Sequence, residues 1–152
     1  MIAIGSDHGG FDLKKEIMHF LNQNGYQYKD LGTFDGSCPS DYPDYGLAVA
    51  KEVASGNCTS GIIICGTGIG ISISANKVPG IRAALCTDAY MARMSREHNN
   101  ANILALGARV VGPGLALDIV EAFIKTSFTG ETHPRHKQRV DKIMLIEKTY
   151  LK

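Results

Sequence analysis

The stretch GIIICGTGIG, residues 61–70, joins an apolar run that ends in Cys65 to a glycine-rich turn. Such a run is typical of a buried strand, and the glycines predict a tight turn toward a helix. Glycines at this position leave backbone N–H groups accessible, which suits an anion or a developing oxyanion. A thiol beside those amides is favoured as the thiolate. Two interpretations remain: a reactive Cys65 that faces an anion site, or a buried structural cysteine before a turn.

Four more segments are predicted to be strands, at residues 2–5, 26–31, 81–85 and 103–106. Segments with helix signals separate them, so strands and helices alternate. We interpret the strands as apolar on both sides instead of alternating in polarity, which predicts a parallel sheet covered by helices on both faces. The fold class is therefore α/β. Functional residues are expected just after the strands, because ligands of such sheets bind beyond the carboxyl ends.

Helix signals fill the intervals between these strands. Apolar spacing places the first helix at about 11–24, Pro43 opens a second that runs to about residue 55, and a third ends near residue 77. Asp88 is a candidate cap for the fourth. The fifth, opened by Pro113, is expected to bury Leu115, Ile119, Ala122 and Phe123. The last begins near Arg135 and carries Val140, Ile143, Met144 and Leu151.

The composition excludes several classes of protein. With 16 Lys and Arg against 15 Asp and Glu, the chain lacks the charge of a bulk nucleic-acid binder. No apolar run reaches the ~20 residues of a membrane span, and the N-terminus does not resemble a signal peptide, so a cytoplasmic protein is expected. The 152 residues predict a single domain, 1–152. The four cysteines lack CxxC spacing, which indicates free thiols, and the five histidines lack metal-ligand spacing.

Polar residues follow other strands as well. Asp7 and His8 stand after the first strand and before two glycines, which indicates either a ligand-facing pair or a simple helix cap. Arg109 follows the last strand and is a candidate for anion binding. His98, near the end of the fourth helix, is either functional or a partner of the helix dipole. A dinucleotide site is not expected, because Ile71 stands where the last glycine of that fingerprint belongs.

The segment HPRHKQR, residues 133–139, is the densest basic cluster of the chain. Arg135 and Arg139 are four residues apart and share one face of the last helix. Cations are disfavoured at a helix start, which indicates a bound anion such as a phosphate group; the alternative is a solvated helix start. A phosphate site, a thiol beside amides and an Asp–His pair together suggest proton abstraction next to a carbonyl of a phosphorylated small molecule.

Five ordered segments of the chain resemble one known family. They are GSDHGGFDLK (5–14), SDYPDYG (40–46), CGTGIGISISANK (65–77), REHNNANILALGARV (96–110) and RHKQRV (135–140). Together they resemble type B ribose-5-phosphate isomerase and its galactose-6-phosphate isomerase relatives over nearly the whole chain. The resemblance implies a Rossmann-like three-layer αβα sandwich with a five-stranded parallel sheet and an extra C-terminal helix.

The resemblance also implies a reaction and an assembly. The reaction is the interconversion of ribose 5-phosphate and ribulose 5-phosphate, an aldose–ketose isomerisation of the pentose phosphate pathway that proceeds through an enediolate without a metal or cofactor. The assembly is a homodimer, in some relatives a tetramer, with active sites shared between subunits. The C-terminal helix, about 134–151, would pack on the partner subunit.

Roles for individual residues follow from the same resemblance. Cys65 would be the base that moves a proton between C1 and C2, because residues 69–73 lack the glutamate that serves another branch of the family. Thr67 would transfer protons between O1 and O2. Asp7 and the partner's His98 would open the sugar ring. The other implied contacts are the amides of Gly66, Gly68, Ile69 and Gly70 with the enediolate, Tyr42 and Asn99 with the sugar, and His8, Arg109, Arg135 and Arg139 with the phosphate.

Two other functions compete with the pentose-phosphate isomerase. The chain could act on galactose 6-phosphate or allose 6-phosphate, or it could bind sugar phosphates without catalysis. An intact set of Cys65, Thr67 and His98 disfavours a silent binding module. The galactose enzymes of this family are usually built from two different subunits, one of which departs from the catalytic motif. The full set of motif residues therefore favours ribose 5-phosphate.

Overall fold

The computed structural model describes residues 1–150, which form a five-stranded parallel sheet between two layers of helices. The strands are β1 (Ile2–Ser6), β2 (Tyr28–Asp30), β3 (Ser60–Cys65), β4 (Ala83–Leu85) and β5 (Ile103–Gly107). The helices are α1 (Phe11–Gln23), α2 (Tyr42–Ala54), α3 (Ile69–Ala75), α4 (Ala89–Glu97), α5 (Pro113–Lys125) and α6 (Pro134–Tyr150). The strand order is β2-β1-β3-β5-β4. The predicted α/β sandwich with an additional C-terminal helix is therefore confirmed.

The central strand β3 has a buried residue on both faces of the sheet. Ile62 and Ile64 pack into the apolar layer formed with α1, α4 and α5. Ile63 and Cys65 point to the opposite layer, formed with α2 and α3. This is why the strand is apolar at every position from residue 61 to residue 65. The cysteine at its end belongs to the face that α2 and α3 cover.

The helices that follow the neighbouring strands β1 and β3 lie on opposite faces of the sheet, and this leaves a crevice between the two connections. β1 leads to α1 on one face, whereas β3 leads to α3 on the other. The two connections therefore diverge from neighbouring strands, which pair from Ile2↔Ser60 to Ser6↔Ile64. A crevice at such a switch point, beyond the carboxyl ends of the strands, is the usual ligand site of this kind of sheet.

Three local predictions differ from the structure. β2 was expected to be a buried strand over 26–31, but it is a three-residue edge strand whose Lys29 side chain is exposed and pairs with Glu52 at 3.0 Å. β4 begins at Ala83 instead of residue 81. The prediction that Leu115 is buried was wrong: it is 43% exposed, because Ala116, Ile119 and Val120 form the buried face of α5.

The C-terminal helix α6 packs beside β4, the edge strand of the sheet. Val140 is buried, the Gly80 N–H donates to Glu147 Oε2 at 2.8 Å, and Arg82 Nη1 donates to Met144 Sδ at 3.2 Å. The large apolar side chains of Leu145, Ile146 and Tyr150 remain exposed. Leu151, assigned to this helix from the sequence, lies outside the described residues. No helix within residues 1–150 combines the length and apolar character that crossing a bilayer requires.

Candidate active site

Cys65 ends β3 with its side chain in the crevice wall and only 4% exposed. Its Sγ accepts a hydrogen bond from the Gly68 N–H at 3.1 Å, so the loop folds back over the thiol. Gly68 has a φ of +77°, and a Cβ there would lie 2.8 Å from the carbonyl carbon of Leu106 and 3.0 Å from the Gly107 nitrogen. Only glycine fits this turn without moving the end of β5.

The loop after Cys65 also offers unused hydrogen-bond donors. Within residues 1–150, the backbone N–H groups of Gly66 and Thr67 donate to no protein acceptor. The Ile69 N–H reaches Thr67 Oγ1 at 3.3 Å, and the Thr67 side chain is exposed. Free amides of this kind can bind an oxyanion without a cation.

The first strand brings Asp7 and His8 to the same crevice. Asp7 Oδ1 accepts from the Gly10 N–H at 3.0 Å, so the carboxylate caps the short 3₁₀ turn His8–Gly10. The helix-cap interpretation of Asp7 therefore holds for one of its oxygens. A Cβ on Gly9 would lie 3.5 Å from the Gly66 nitrogen, which shows how closely the loops after β1 and β3 approach.

His8 is held by a residue that sequence reasoning left unassigned. The His8 N–H donates to Ser40 Oγ at 3.0 Å, and the Ser40 N–H donates to His8 Nδ1 at 3.1 Å. His8 Nδ1 also lies 3.3 Å from the Ser40 carbonyl oxygen, so Ser40 contacts this ring nitrogen with both of its backbone polar groups. Ser40 stands in the SDYPDYG segment. The sequence does show a polar residue there, in a loop with turn residues on both sides, and this pattern could have indicated a contact residue.

Tyr42 and Arg109 close two further sides of the crevice. A Cβ on Gly70 would lie 2.6 Å from ring atoms of Tyr42, so the tyrosine ring rests on the first turn of α3. The Arg109 N–H donates to the Gly66 carbonyl at 3.0 Å. The Arg109 guanidinium also lies over Gly66, where its Nη1 would be 3.6 Å from an added Cβ. A cation therefore stands beside the free loop amides.

The remaining predicted site residues form a second group, the His98 cluster, which comprises His98, Asn99, Arg135, His136 and Arg139. His98 follows α4, and its ring centroid lies 4.2 Å from that of His136 on α6. The side chains of Arg135 and Arg139 are exposed on the first turns of α6. Burial lowers the pKa of His136, and the neighbouring His98, His133 and Arg139 lower it further, whereas Glu97 acts in the opposite direction.

The His98 cluster lies toward the amino ends of the strands, whereas Cys65 of the same chain lies at the carboxyl end of β3. α4 starts after the carboxyl end of β4 and returns to the amino end of β5, where the Asn102 carbonyl accepts from the Gly61 N–H. β5 then spans five residues, a length of about 16 Å. The fold thus brings together Asp7, His8, Tyr42, Cys65, Gly66, Thr67, Gly68, Ile69, Gly70 and Arg109. It leaves His98, Asn99, Arg135 and Arg139 apart from them.

Comparison with known proteins finds relatives that match nearly the whole chain. The model of a family described as Ribose/Galactose Isomerase matches residues 2–143. Ribose-5-phosphate isomerase B of Escherichia coli (strain K12) is 49% identical over 146 residues, which cover 96% of this chain and 95% of that protein. The solved structure of Clostridium thermocellum ribose-5-phosphate isomerase B has 63% identity and a TM-score of 0.94, with 98% of each chain covered. That of Mycoplasma genitalium ribose-5-phosphate isomerase B with bound ribulose-5-phosphate has 41% identity, a TM-score of 0.91 and coverage of 97% and 95%.

The chain belongs to the ribose/galactose isomerase family. It is an isomerase of the class that interconverts aldose and ketose sugar phosphates. The resemblance of its five motifs to type B ribose-5-phosphate isomerase is confirmed by these relatives.

Proposed function

We propose that this chain interconverts ribose 5-phosphate and ribulose 5-phosphate, with Cys65 as the base. The observation that carries the proposal is the position of the Cys65 thiol at the switch-point crevice. Its Sγ lies 3.1 Å from the Gly68 nitrogen, beside the free N–H groups of Gly66 and Thr67. A base and a set of oxyanion donors are thus adjacent, which an enediolate intermediate requires. The ribulose-5-phosphate bound to the Mycoplasma genitalium relative supports this choice of substrate.

The proposed chemistry moves one proton between neighbouring carbons. The Cys65 thiolate takes the C2 proton of the open-chain aldose, the electron pair forms the C1–C2 double bond, and O1 gains the negative charge. The loop amides stabilise that charge. The Thr67 hydroxyl then passes the O2 proton to O1. As the O2 carbonyl forms, the Cys65 thiol returns its proton to C1, which gives the ketose.

The active site requires a second copy of the chain in this proposal. Ring opening is assigned to Asp7 together with the partner's His98, and phosphate binding to His8, Arg109 and the partner's Arg135 and Arg139. The separation of the His98 cluster from Cys65 within one chain supports this assignment, because a single copy presents the two halves at opposite ends of the strands. An isologous dimer would join the two halves twice. The α6 helix, with its exposed apolar residues, would lie at this interface.

Galactose 6-phosphate and allose 6-phosphate are the alternative substrates, since the family description includes galactose isomerases. The phosphate anchor and Cys65 fix the two ends of the substrate, and a six-carbon sugar must fit one more carbon between them. Misplacement of the reacting carbon by 1 Å costs about 10²-fold in rate. A pentose phosphate is therefore the favoured substrate.

Kinetics on a panel of substrates, combined with Cys65→Ala, tests the proposal. We expect the highest kcat/KM for ribose 5-phosphate, followed by allose 6-phosphate and galactose 6-phosphate.

Cys65→Ala should lower kcat by about 10²–10⁴-fold or more, because the proton-transfer group is lost, while substrate binding changes little. Cys86→Ala is the matched control: this buried thiol, whose pKa burial raises to about 11, lies outside the crevice. A Cys65→Ala variant within a few-fold of the parent contradicts the mechanism, and a preference for galactose 6-phosphate contradicts the substrate.

A further inference from the structure

His136 is the member of the His98 cluster to which the proposed reaction gives no role. It lies in the first turn of α6, and its backbone N–H donates to the His133 carbonyl at 2.9 Å. Its ring contacts His98 at a centroid distance of 4.2 Å with the two planes 44° apart, and it stacks on His133 at 5.3 Å. The imidazole of His136 therefore packs against one side of the His98 ring.

Hydrogen bonds fix the orientation of the His136 ring. Thr129 Oγ1 lies 2.8 Å from His136 Nδ1 and also 2.8 Å from the Glu97 carbonyl oxygen. A carbonyl can only accept, so the single hydroxyl proton of Thr129 goes to Glu97. His136 Nδ1 must then carry a proton and donate it to Thr129. The result is a directed relay from His136 through Thr129 to the carbonyl of the residue that precedes His98.

The same relay anchors the end of α4 where His98 stands. The Glu97 carbonyl accepts from both the hydroxyl and the backbone N–H of Thr129, at 2.8 and 3.2 Å. The His98 N–H in turn donates to the Met94 carbonyl at 2.9 Å. The Glu97 carbonyl, in the peptide that joins it to His98, and the ring of His98 are thus both contacted by side chains outside α4. The Thr129 hydroxyl therefore links the Glu97 carbonyl to the His136 ring.

Charge is consistent with this arrangement. The groups that face His136 are His98 and Glu97 from α4, His133 from the preceding loop, and Arg139 from α6 itself. Burial and the three basic neighbours lower its pKa. The ring is therefore neutral at neutral pH and adds no positive charge beside the His98 ring.

We propose that His136 is a positioning residue for His98, and that the Thr129 relay holds its ring so that His98 can transfer a proton during opening of the sugar ring. This inference rests on the proposed function, in which His98 acts in ring opening and Cys65 in enolisation. A loss of His136 should then slow the step that His98 performs. It should leave the proton transfer at Cys65, which lies in the other half of the site, almost unchanged.

The two steps can be measured separately on ribulose 5-phosphate in deuterium oxide. Exchange of the C1 proton for deuterium reports enediolate formation at Cys65, and it requires no sugar ring. Appearance of cyclic ribose 5-phosphate reports the whole reaction, including the ring step. A positioning defect at His98 lowers the second rate relative to the first, whereas a general structural defect lowers both together.

Three variants of the dimeric enzyme address the relay. His136→Asn keeps a donor toward Thr129 but removes the ring against His98. Thr129→Val keeps the shape of the side chain and removes the hydroxyl, and Thr129→Ser is the matched control that retains it. We expect His136→Asn and Thr129→Val to lower net conversion by about 10- to 100-fold, as misplacement of a catalytic group does, with exchange within about threefold of the parent. Thr129→Ser should resemble the parent in both rates.

Parallel losses of exchange and conversion, or no loss of either, overturn the inference. If His136→Asn does not fold, the comparison of Thr129→Val with Thr129→Ser decides the question in the same way. Cys65→Ala separates this inference from the proposed function, since that variant should lose both rates. Exchange that persists in Cys65→Ala contradicts the proposed function itself, whatever the His136 variants show.

Discussion

Arg135 and Arg139 stand one helical turn apart at the beginning of α6, with both side chains exposed. No acidic residue lies in this first turn to balance them. The positive end of a helix dipole disfavours cations, so the helix itself gains nothing from these two arginines. A bound phosphate is the kind of partner that both the guanidinium groups and the helix terminus favour.

Arg135→Ala and Arg139→Ala should each raise KM for the sugar phosphate by about 10–100-fold, because each would remove a charge-assisted hydrogen bond of the proposed phosphate site. Steady-state kinetics with inorganic phosphate as a competitive inhibitor measures phosphate binding separately from the sugar, and the Ki of phosphate should rise by a similar factor. Lys142→Ala is the control, an exposed cation further along the same helix. A fall in kcat with unchanged KM and unchanged phosphate inhibition would contradict phosphate binding.

Individual site residues could be predicted from the sequence where the end of a strand is followed directly by turn residues. Cys65 and Asp7 were found in this way, and the structure places both at the crevice. Ser40 was missed because its contact with His8 spans 32 residues of sequence. The relay of Thr129 to His136 was missed for a similar reason, since Glu97 stands 32 residues before Thr129. Local patterns cannot report such distant hydrogen bonds.

At the level of elements, a buried lysine joins α1 to the loop that carries the His8 contact. Lys14 is 1% exposed, and its Nζ donates to Asp30 Oδ1 and to the Thr33 carbonyl, both at 2.7 Å. Asp30 ends β2, and Thr33 begins the loop that continues to Ser40. The position of this loop, and so of the His8 ring, depends on a cation buried in the first helix.

Lys14→Met should lower the free energy of unfolding by about 3–5 kcal/mol, because it leaves Asp30 as a partly buried charge without its partner. Urea denaturation measures the change. Lys15→Met is the matched control on the same helix: its ion pair with Asp12 is exposed, with 57% and 91% of the side chains accessible, and should contribute less than about 1 kcal/mol. Equal effects of the two substitutions would show that Lys14 has no special role.

The elements that sequence patterns predicted well are those with two buried faces or a strong capping signal. β1 and β5 are buried along their whole length and β3 from Gly61 to Cys65, and Asp88 caps α4 by accepting from the Met91 N–H at 2.8 Å. β2 was misjudged because an edge strand needs no apolar character on its outer side. Lys14 was not expected inside, since a lysine is rarely buried unless its partner, here 16 residues away, is known.

At the scale of the whole molecule, apolar side chains are exposed near both halves of the proposed site. Tyr42, Leu47, Ile69 and Ile73 are exposed around the Cys65 loop, and Ile143, Ile146 and Tyr150 are exposed on α6. Apolar surface of this kind often marks a protein interface. A dimer that covers it would bring the His98 cluster of one copy to the Cys65 crevice of the other. Chain connectivity and strand patterns do not encode this contact, so only the resemblance to the family predicted it.

Complementation between two inactive variants tests the shared site most directly. Cys65→Ala and His98→Asn are each inactive as homodimers in this proposal. Unfolded together in equal amounts and refolded, they should form mixed dimers that each contain one intact site, and activity should return to about a quarter of the parent's. The two variants refolded separately and then mixed are the control and should stay inactive. Co-refolded samples that contain mixed dimers but show no more activity than this control would contradict a site shared between two copies.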